Sequence, residues 1–511
     1  MREEIKKMWE TRPLLLIILV GLFFRALAVV FSKGFGMFDD HFLVIEASQA
    51  WADGTDYNYW LPSSGATSPD GHSLFYSGLH FLLFKYLKWR GLMDPQAKMY
   101  IVRALHALWS LLIIIYGYKI TNHYAGKNVA RQAGMILSIL WFMPMLAVRN
   151  LIEITCIPPL MIATWLLVNP LTKEKVRSYV WAGILCGIAF NIRFQSLLFI
   201  GGIGLVLLFQ KRWKQSIVFG LLFFLAVFSV QGLVDMYIWK KPFAELTEYV
   251  RYNFANANTY TTGAWYQYIG TVAGTLLPPI SLFLMFGFMR SWKKYPLLFW
   301  PSFLFFVFHS MFPNKQERFI APIIPFIIVL GSIGWSEFVT RSKYWLNHKK
   351  LLRGCWTFFW VVNCIMLPFL STMYSKKSRV ESMTYLYKQA DVQNIIIEDS
   401  DEDDYIQPPL YYIGSWKVHV VGVTQKYSLY KAYKVFKNAN YIIFFGKDHI
   451  DERIAYFQKM FPDNEYKATI TPSLIDNVFE FLNPINKNQS AFIYKFNENI
   501  MQIPKDSLIL H

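Results

Sequence analysis

Long apolar stretches recur along the chain from its beginning to about residue 373. A helix needs roughly 20 mostly apolar residues to cross the hydrocarbon core of a bilayer, and eleven segments come close to that requirement. The pattern therefore predicts a polytopic α-helical membrane protein over residues 1–373. The predicted spans are 12–32, 99–120, 133–149, 151–169, 178–193, 196–210, 214–238, 268–289, 296–312, 320–340 and 354–373.

Lysine and arginine in the short loops set the predicted orientation of these spans. Cytoplasmic loops carry an excess of these residues, and the basic loops all fall on one side if segment 74–88 does not cross. We interpret 74–88, which is short for a span, as an embedded or interfacial helix within a first outer loop, 33–98. The predicted inner loops are 119–131, 170–177, 211–214, 290–294 and 341–353, and the other outer segments include 239–267, 313–319 and everything from 374 onward.

From residue 374 the chain changes to charged residues and short alternating apolar stretches. Such stretches, bounded by turn residues, are typical of β-strands. Residues 374–511 are therefore predicted to form a small extracytoplasmic α/β domain. The acidic run 399–404 is either a cation site or a solvated loop, and loops are the commoner outcome for such a run. Predicted strands are 394–398, 417–421, 441–445 and 491–495, and predicted helices are 449–461 and 473–480.

Composition narrows the function classes. Charged residues make up 17% of the 511 residues, against roughly 25% in soluble proteins. The net charge of +17 is explained by basic residues in cytoplasmic loops and near lipid phosphates, so we predict no nucleic-acid binding. The four cysteines have no metal-ligand spacing. Walker, Rossmann and zinc-helix motifs are missing from the sequence, so we predict no cofactor and leave a divalent cation open.

A cluster of acids follows the first predicted span directly. Asp39, Asp40 and Glu46 stand where the chain leaves the bilayer, and carboxylates near hydrocarbon cost several kcal/mol unless they have partners or a task. If 40–46 is an α-helix, Asp39, Phe42 and Glu46 share one face. The alternative is that Asp39 only caps that helix.

Other polar side chains converge on the same predicted side of the membrane. Aromatic and amide groups bind sugars, arginine and lysine neutralise phosphate, and a carboxylate acts as a general base on a hydroxyl. This mixture predicts transfer of a glycosyl group from a lipid phosphate at the outer surface. The side chains are His41, His72, Tyr76, Asn150, Glu153, Arg193, Trp265, Tyr266, Lys315, Glu317 and Arg318.

Residues 39–46 resemble the D-E-x-F-x-x-x-E signature of GT-C glycosyltransferases in family 22. This family includes the α-mannosyltransferases that extend the GPI-anchor core and the N-glycan precursor. Residues 315–322 are similar to its H-K-E-x-R-F-x-x-P signature, and 150–153 to its N-x-x-E turn. Arg193 matches an arginine at the outer end of a middle span, and 265–266 fall in a stretch similar to its aromatic loop. The resemblance covers residues 12–340 in order.

Four departures from the family pattern leave the donor sugar and the acceptor open. The family has Glu where this chain has Asp40, and His where it has Asn314. Gln316 replaces a Glu, and His72 stands at an Arg of the R-S-Y-x-Y-P element.

The resemblance implies an inverting enzyme in a bacterial inner membrane or in the endoplasmic reticulum, with its active site facing the periplasm or lumen. Its implied partners are a polyprenyl-phosphate sugar (mannose is the first expectation), a glycan or glycolipid acceptor, and membrane lipid. The implied base is Asp39, with Asp40 orienting the acceptor. Implied acceptor-side residues are His41, Glu46, His72 and Tyr76, and implied donor-side residues are Asn150, Glu153, Arg193, Trp265, Tyr266, Lys315, Glu317 and Arg318.

Three alternatives remain open at this point. Another GT-C enzyme, such as an aminoarabinose or oligosaccharyl transferase, fits the same features. A lipid or glycan transporter would be expected to show inverted repeats and charges at the membrane midplane, whereas the polar groups here gather at one face. A receptor or scaffold would leave the acid pair and the Lys315 motif unexplained.

Overall fold

The computed structural model describes residues 2–399, 404–425, 428–435, 438–482 and 488–497. The chain divides into two compact units. The first, here called the helical unit, comprises Met1–Phe31, Asn58–Leu79 and Ile101–Thr372. The second, here called the mixed unit, comprises Ser32–Tyr57, His80–Tyr100 and Met373–His511. The mixed unit therefore takes in parts of the first outer loop together with the C-terminal segment.

Apolar helices make up most of the first 373 residues, as the sequence pattern predicts. Five are long and apolar enough to cross a membrane, namely Pro13–Phe31, Pro95–Ile139, Trp213–Trp239, Glu317–Val339 and Lys349–Ser371. Shorter apolar helices are Ile152–Val168, Val176–Ile192, Phe194–Phe209, Ile280–Arg290 and Pro296–Met311. Ile152–Val168 comprises Ile152–Thr155 and Ile157–Val168, Phe194–Phe209 ends with the α-helix Leu197–Phe209, and Trp213–Trp239 begins with the α-helix Trp213–Val227. The remaining helices before residue 373 are Arg2–Thr11, Asp40–Glu46, Ala47–Asp53, Pro62–Ser64, Leu74–Trp89, Met143–Ala147, Ala244–Ala255, Gln267–Thr275 and Lys343–Asn347.

Two predicted spans have different bounds in the structure. The predicted spans 99–120 and 133–149 are separated at Gly126, whose non-helical backbone (φ 78°, ψ 174°) divides Pro95–Ile139 within the predicted inner loop 119–131. The span 133–149 is interrupted after Ile139, and Met143–Ala147 follows as a separate helix. The predicted span 268–289 is instead divided into Gln267–Thr275 and Ile280–Arg290. Two consecutive prolines lie between those helices, and proline removes a backbone donor and clashes with the preceding turn. Hydropathy is averaged over a window of many residues, so it did not detect either interruption.

Close helix packing in the helical unit depends on glycine. A Cβ atom at Gly183, in Val176–Ile192, would lie 2.5 Å from the carbonyl oxygen of Phe219 in the neighbouring helix Trp213–Val227. Small residues allow membrane helices to approach closely, which favours van der Waals packing. This contact fixes the course of Val176–Ile192, whose C-terminal end carries Arg193.

The mixed unit contains a five-stranded sheet in the order β2-β1-β3-β5-β4. Strand β1 pairs in parallel with β2 and β3, whereas β5 pairs antiparallel with β3 and β4. Buried Ile396, Ile442, Phe444, Phe457 and Phe496 belong to its core. The strands are β1 (Asn394–Glu398), β2 (Val420–Val423), β3 (Ala439–Phe445), β4 (Asn464–Ile470) and β5 (Ala491–Phe496), and the helices are Lys377–Tyr387, Leu410–Ile413, Leu429–Val435, Ile450–Met460 and Leu474–Leu482.

This architecture agrees with the predicted α/β class but corrects several elements. The strand predicted at 417–421 begins later, at Val420, and β4 was not predicted. Strand β4 lies at the sheet edge with mostly exposed or half-buried residues, so its polar sequence gives no apolar alternation. Helices Lys377–Tyr387 and Leu429–Val435 were also missed.

Candidate active site

The acidic segment, defined here as residues 39–46 of the mixed unit, forms an unusual helix. Asp40–Glu46 is π-helical, with i→i+5 hydrogen bonds that widen the turn. The predicted common face for Asp39, Phe42 and Glu46 assumed an α-helix and is therefore wrong. Asp39 stands at the N-cap position without a side-chain capping hydrogen bond, so the capping alternative is also wrong. Asp39 is half-buried and Asp40 is buried.

Glu46 is fully buried and has short contacts on both carboxylate oxygens. Its Oε1 accepts a hydrogen bond from the Tyr57 hydroxyl at 2.7 Å, and its Oε2 accepts one from the Tyr411 backbone N–H at 3.2 Å. His41 Nε2 lies 3.2 Å from the same Oε2. The His41 ring also stacks on Tyr412, with ring centroids 5.4 Å apart. Two of the four predicted acceptor-side residues, His41 and Glu46, thus contribute to the framework of the mixed unit.

Three charged side chains that are distant in sequence meet in the helical unit, and they are called here the arginine cluster: Glu153, Arg193 and Arg318. Glu153 Oε1 lies 3.8 Å from Arg193 Nη2 and 3.8 Å from Arg318 Nε. Arg193 follows the helix Val176–Ile192 in an extended conformation. Glu153 lies in the first turn of Ile152–Thr155.

The arginines of the cluster are also fixed by uncharged groups. Arg193 donates through Nε to Gln195 Oε1 at 2.9 Å and through Nη2 to the Phe319 carbonyl at 3.2 Å. Arg318 Nε donates to Gln316 Oε1 at 2.9 Å. These contacts orient both guanidinium planes, as recognition of a phosphate requires.

Several buried polar atoms in this region have no hydrogen-bond partner among the described residues. They include Glu153 Oε2, Arg193 Nη1, Asn191 Oδ1 and His309 Nε2. His309 stacks on Phe305 with ring centroids 4.1 Å apart, and the Arg193 guanidinium lies 5.9 Å from the same Phe305 ring. Because buried polar groups in native proteins are nearly always hydrogen-bonded, this concentration indicates a place for a polar ligand.

Lys315 has a different environment from the arginines, although it belongs to the same motif as Arg318. Its ammonium group donates to the carbonyls of His309 at 2.8 Å, of Ser310 at 2.7 Å and of Phe312. These carbonyls lie at the C-terminal end of Pro296–Met311, where a cation is favourable. Burial lowers the pKa of the ammonium group. All three ammonium hydrogens are engaged, so none faces a donor phosphate.

The other predicted residues of the helical unit differ in exposure. Buried Tyr76 lies 2.6 Å from His106 Nε2 through its hydroxyl, and 3.3 Å from Thr155 Oγ1 on the turn that carries Glu153. Predicted residues with less contact are Trp265 and Tyr266, which are 59% and 60% exposed, and Glu317, which is exposed. Asn150 is buried just before Ile152–Thr155, and His72 follows a glycine that packs against the Tyr249 backbone.

One buried network was missed by the sequence interpretation. Glu245 Oε2 accepts hydrogen bonds from the Leu74 N–H and from Gln231 Nε2, both at 2.8 Å. Gln231 Nε2 also donates to Asp235 Oδ1 at 2.9 Å. Burial, with Asp235 nearby, raises the pKa of Glu245 to about 8. The available signal was Asp235 itself, because an acid inside a predicted span normally has a partner.

Metal ligands do not cluster in the part of the chain that the structure describes: no group of three or more His, Cys, Asp or Glu side chains could hold an ion there. Residues 400–403 of the acidic run 399–404 lie outside the described residues.

Comparison with known families decides the class of protein. Residues 15–415 match the Alg9-like mannosyltransferase family. The chain belongs to this family. The resemblance stated from the motifs at 39–46 and 315–322 is thereby confirmed, and so is the interpretation as a member of a glycosyltransferase family.

Relatives of this Alg9-like mannosyltransferase family member occur in fungi, plants and animals. It is 25% identical over 186 residues to GPI mannosyltransferase 3 of Saccharomyces cerevisiae, a match that covers 34% of this chain and 29% of the yeast protein. It is 21% identical over 404 residues to Mannosyltransferase APTG1 of Arabidopsis thaliana, covering 73% and 71% of the two chains. GPI alpha-1,2-mannosyltransferase 3 of Bos taurus is 26% identical over 274 residues, with coverage of 51% and 49%.

Solved structures establish the GT-C fold of this family member. Apo ArnT from Cupriavidus metallidurans superimposes with a TM-score of 0.61 at 13% identity, covering 96% of this chain and 99% of ArnT. ArnT bound to undecaprenyl phosphate gives a TM-score of 0.57 at 12% identity, covering 94% and 97%. The predicted fold class, a polytopic GT-C membrane protein with a C-terminal α/β domain, is confirmed.

Proposed function

We propose that the chain is an integral membrane, inverting mannosyltransferase. It moves mannose from a polyprenyl-phosphate donor to a hydroxyl of a lipid-linked or surface glycan. The observation that carries this proposal is the arginine cluster, in which two oriented guanidinium groups surround one carboxylate while Arg193 Nη1 and Glu153 Oε2 still lack hydrogen-bond partners.

The donor phosphate is assigned to Arg193 and Arg318. Arginine presents a planar fork that fits phosphate oxygens, and the 3.8 Å separations from Glu153 are long for charge-assisted hydrogen bonds. A phosphate oxygen that binds the arginines therefore replaces long, weak contacts with Glu153 and does not have to break short ones. Glu153 keeps the guanidinium groups in place when no donor is bound. Polyprenyl phosphate as the leaving group is supported by the solved complex of ArnT with undecaprenyl phosphate.

The catalytic base is assigned to Asp39 on the strength of the family motif. In the proposed step the acceptor oxygen attacks the anomeric carbon and forms the new C–O bond. The bond from that carbon to the phosphate oxygen breaks, and its electron pair leaves with the polyprenyl phosphate. The acceptor proton passes to Asp39, while Asp40 orients the acceptor. A single displacement inverts the anomeric centre, so a β-linked donor gives an α-linked product.

The proposed setting is the extracytoplasmic face of a membrane, either a bacterial inner membrane or the endoplasmic reticulum. The positive-inside bias that supports this orientation also predicts that the loops at Asp40 and Gln316 lie on one side. Single cysteines at these two positions should react with the same membrane-impermeant label. Labelling from opposite sides would contradict the proposed orientation.

The transfer reaction is tested with purified full-length protein in nanodiscs, labelled polyprenyl-phosphate mannose and a glycolipid extract. Mass spectrometry should show acceptors that gain one hexose. No hexose transfer, combined with transfer from an aminoarabinose or oligosaccharide donor, would establish the alternative GT-C activity. Folded protein that transfers none of the three sugars would contradict the proposal, and donor translocation without transfer would favour the transporter.

A further inference from the structure

A polar cavity lies within the helical unit, away from the arginine cluster. Its volume is about 360 Å³, and several helices end or begin at its wall. Val168 ends the helix Ile157–Val168, Gln210 follows the helix Leu197–Phe209, and Pro296 begins Pro296–Met311. The cavity is therefore built from the ends of several helices.

The position of this cavity relative to the arginine cluster follows from the helix Val176–Ile192. Arg212, which lines the cavity, donates from Nη1 to the hydroxyl of Tyr179 at 2.7 Å. Tyr179 lies in the first turn of Val176–Ile192, whose opposite end leads to Arg193. A rise of 1.5 Å per residue puts these two positions roughly 20 Å apart along the axis. The cavity is thus distinct from the proposed donor site and lies on the side predicted to be cytoplasmic.

The charge of the cavity wall is positive. Lys173, Arg212 and Lys294 line it, and none of its lining residues is a carboxylate. Arg212 Nη2 pairs with Glu174 at 2.7 Å and Lys294 pairs with Glu337 at 2.5 Å. Lys173 has no ion-pair partner among the described residues. The Glu174 side chain is 62% exposed, so its ion pair is weak and easily exchanged.

The remainder of the wall is suited to a phosphate that carries a lipid. The first residues of the 16-residue helix Pro296–Met311 line the cavity, and the positive end of the helix dipole there favours an anion. Leu167, Val168 and Leu297 supply apolar surface beside the cations. Basic pockets between membrane helices on the cytoplasmic side are suited to anionic lipid head groups.

We propose that this cavity binds the phosphate head group of an anionic lipid of the facing leaflet. Lys173 and Arg212 contact the phosphate, the N-terminus of Pro296–Met311 faces its oxygens, and the leucines lie along the glycerol and first methylenes. This binding holds together the ends of helices whose other ends carry the arginine cluster and Lys315. The inference does not depend on the identity of the transferred sugar.

The test compares two triple variants of the full-length protein with the same change in net charge. The cavity variant combines Lys173→Gln, Arg212→Gln and Lys294→Gln. The control combines Lys175→Gln, Lys211→Gln and Lys293→Gln, which change neighbouring cations in the same loops that do not line the cavity. Native mass spectrometry and thermal unfolding are measured in phosphatidylcholine nanodiscs with and without phosphatidylglycerol, and separately with inorganic phosphate.

Wild type and control should retain bound phosphatidylglycerol and be stabilised by it. The cavity variant should bind it about tenfold more weakly or worse, because charge-assisted contacts are lost. Equal binding by all three proteins would overturn the proposal. Equal stabilisation by inorganic phosphate alone would overturn the lipid assignment. If the triple cavity variant does not fold, Lys173→Gln alone should still weaken binding, since Lys173 is exposed, and unchanged binding there would overturn the proposal.

Discussion

Two buried glutamates, each from a different family motif, show different kinds of environment. Glu46, in the mixed unit, has contacts of 2.7–3.2 Å on both oxygens. Glu153, in the helical unit, faces two arginines at 3.8 Å, and its Oε2 has no hydrogen-bond partner. A carboxylate saturated by short contacts stabilises a framework, whereas one in a loose ion pair can exchange partners with a ligand. Burial alone therefore does not separate structural from functional acids.

The largest expected effect concerns the base next to this framework. Asp39→Asn should fold normally, because Asn has nearly the same size and shape as Asp, yet its transfer rate should fall below ~1% of wild type, in the ~10²–10⁴-fold range for a lost general base. Rates are measured on folded protein, with Asp40→Asn alongside and exposed Asp70→Asn from the first outer loop as control. Near-normal transfer by Asp39→Asn would remove the assigned mechanism.

Glu46 should contribute to the stability of the folded protein and not to donor binding. In Glu46→Gln one oxygen acceptor becomes an N–H donor that faces the Tyr57 hydroxyl or the Tyr411 N–H, and an unsatisfied buried group costs about 1–3 kcal/mol. We expect a lower unfolding midpoint and a normal donor KM in the protein that remains folded. Glu153→Gln is the same substitution at the other glutamate. It should change the donor KM and have little effect on the unfolding midpoint. The reverse pattern would abolish the distinction between the two glutamates.

Arg193 and Arg318 should determine donor affinity. Loss of one charge-assisted contact costs roughly 1.5–3 kcal/mol, so Arg193→Gln or Arg318→Gln should raise the donor KM at least about tenfold. Arg193→Lys, which keeps the charge and loses the fork, should recover only part of this. The control is Arg251→Gln, whose side chain is 69% exposed. An unchanged donor KM in both glutamine variants would contradict the phosphate assignment.

Lys315 should behave like Glu46 rather than like Arg318. Lys315→Met removes the cation at the C-terminal end of Pro296–Met311 and leaves three carbonyls without that donor. The helix-end charge alone is worth up to about 2 kcal/mol in partly buried geometry. We expect a lower unfolding midpoint with less than a twofold change in donor KM. A large rise in KM with unchanged stability would return Lys315 to the phosphate site.

Glu245 gives the most gradual effect, because it acts through pH and belongs to neither cluster. Its folded pKa of about 8 lies above the ordinary value, so the folded state binds a proton that the unfolded state releases. Its contribution to stability is complete below pH ~4.5 and is lost as the pH rises through about 8. Glu245→Gln should flatten the fall of the unfolding midpoint between pH 5 and 9. An unaltered slope would indicate that another group titrates there.

The sequence by itself determined the class of the protein. Apolar runs of helix length predicted the membrane helices, since hydropathy and length are local properties that packing does not change. Alternating short stretches predicted most of the sheet in the mixed unit. The motif residues at 39–46 and 315–322 were sufficient to predict the family. Element bounds failed where local chemistry interrupts the average, at the two prolines after Leu277 and at the polar edge strand β4.

Only the tertiary structure decided which motif residues lie close together. Glu153, Arg193 and Arg318 lie close together because three separate segments pack against one another. A local sequence pattern cannot predict a contact between distant segments. Lys315 and Arg318 are equivalent as charges in the sequence, yet one is saturated by helix carbonyls and the other faces a carboxylate at 3.8 Å. The π-helical turn at Asp40–Glu46 likewise changed which side chains share a face. The physical reason is the same in each case: hydrogen-bond saturation and direction depend on atoms contributed by distant segments.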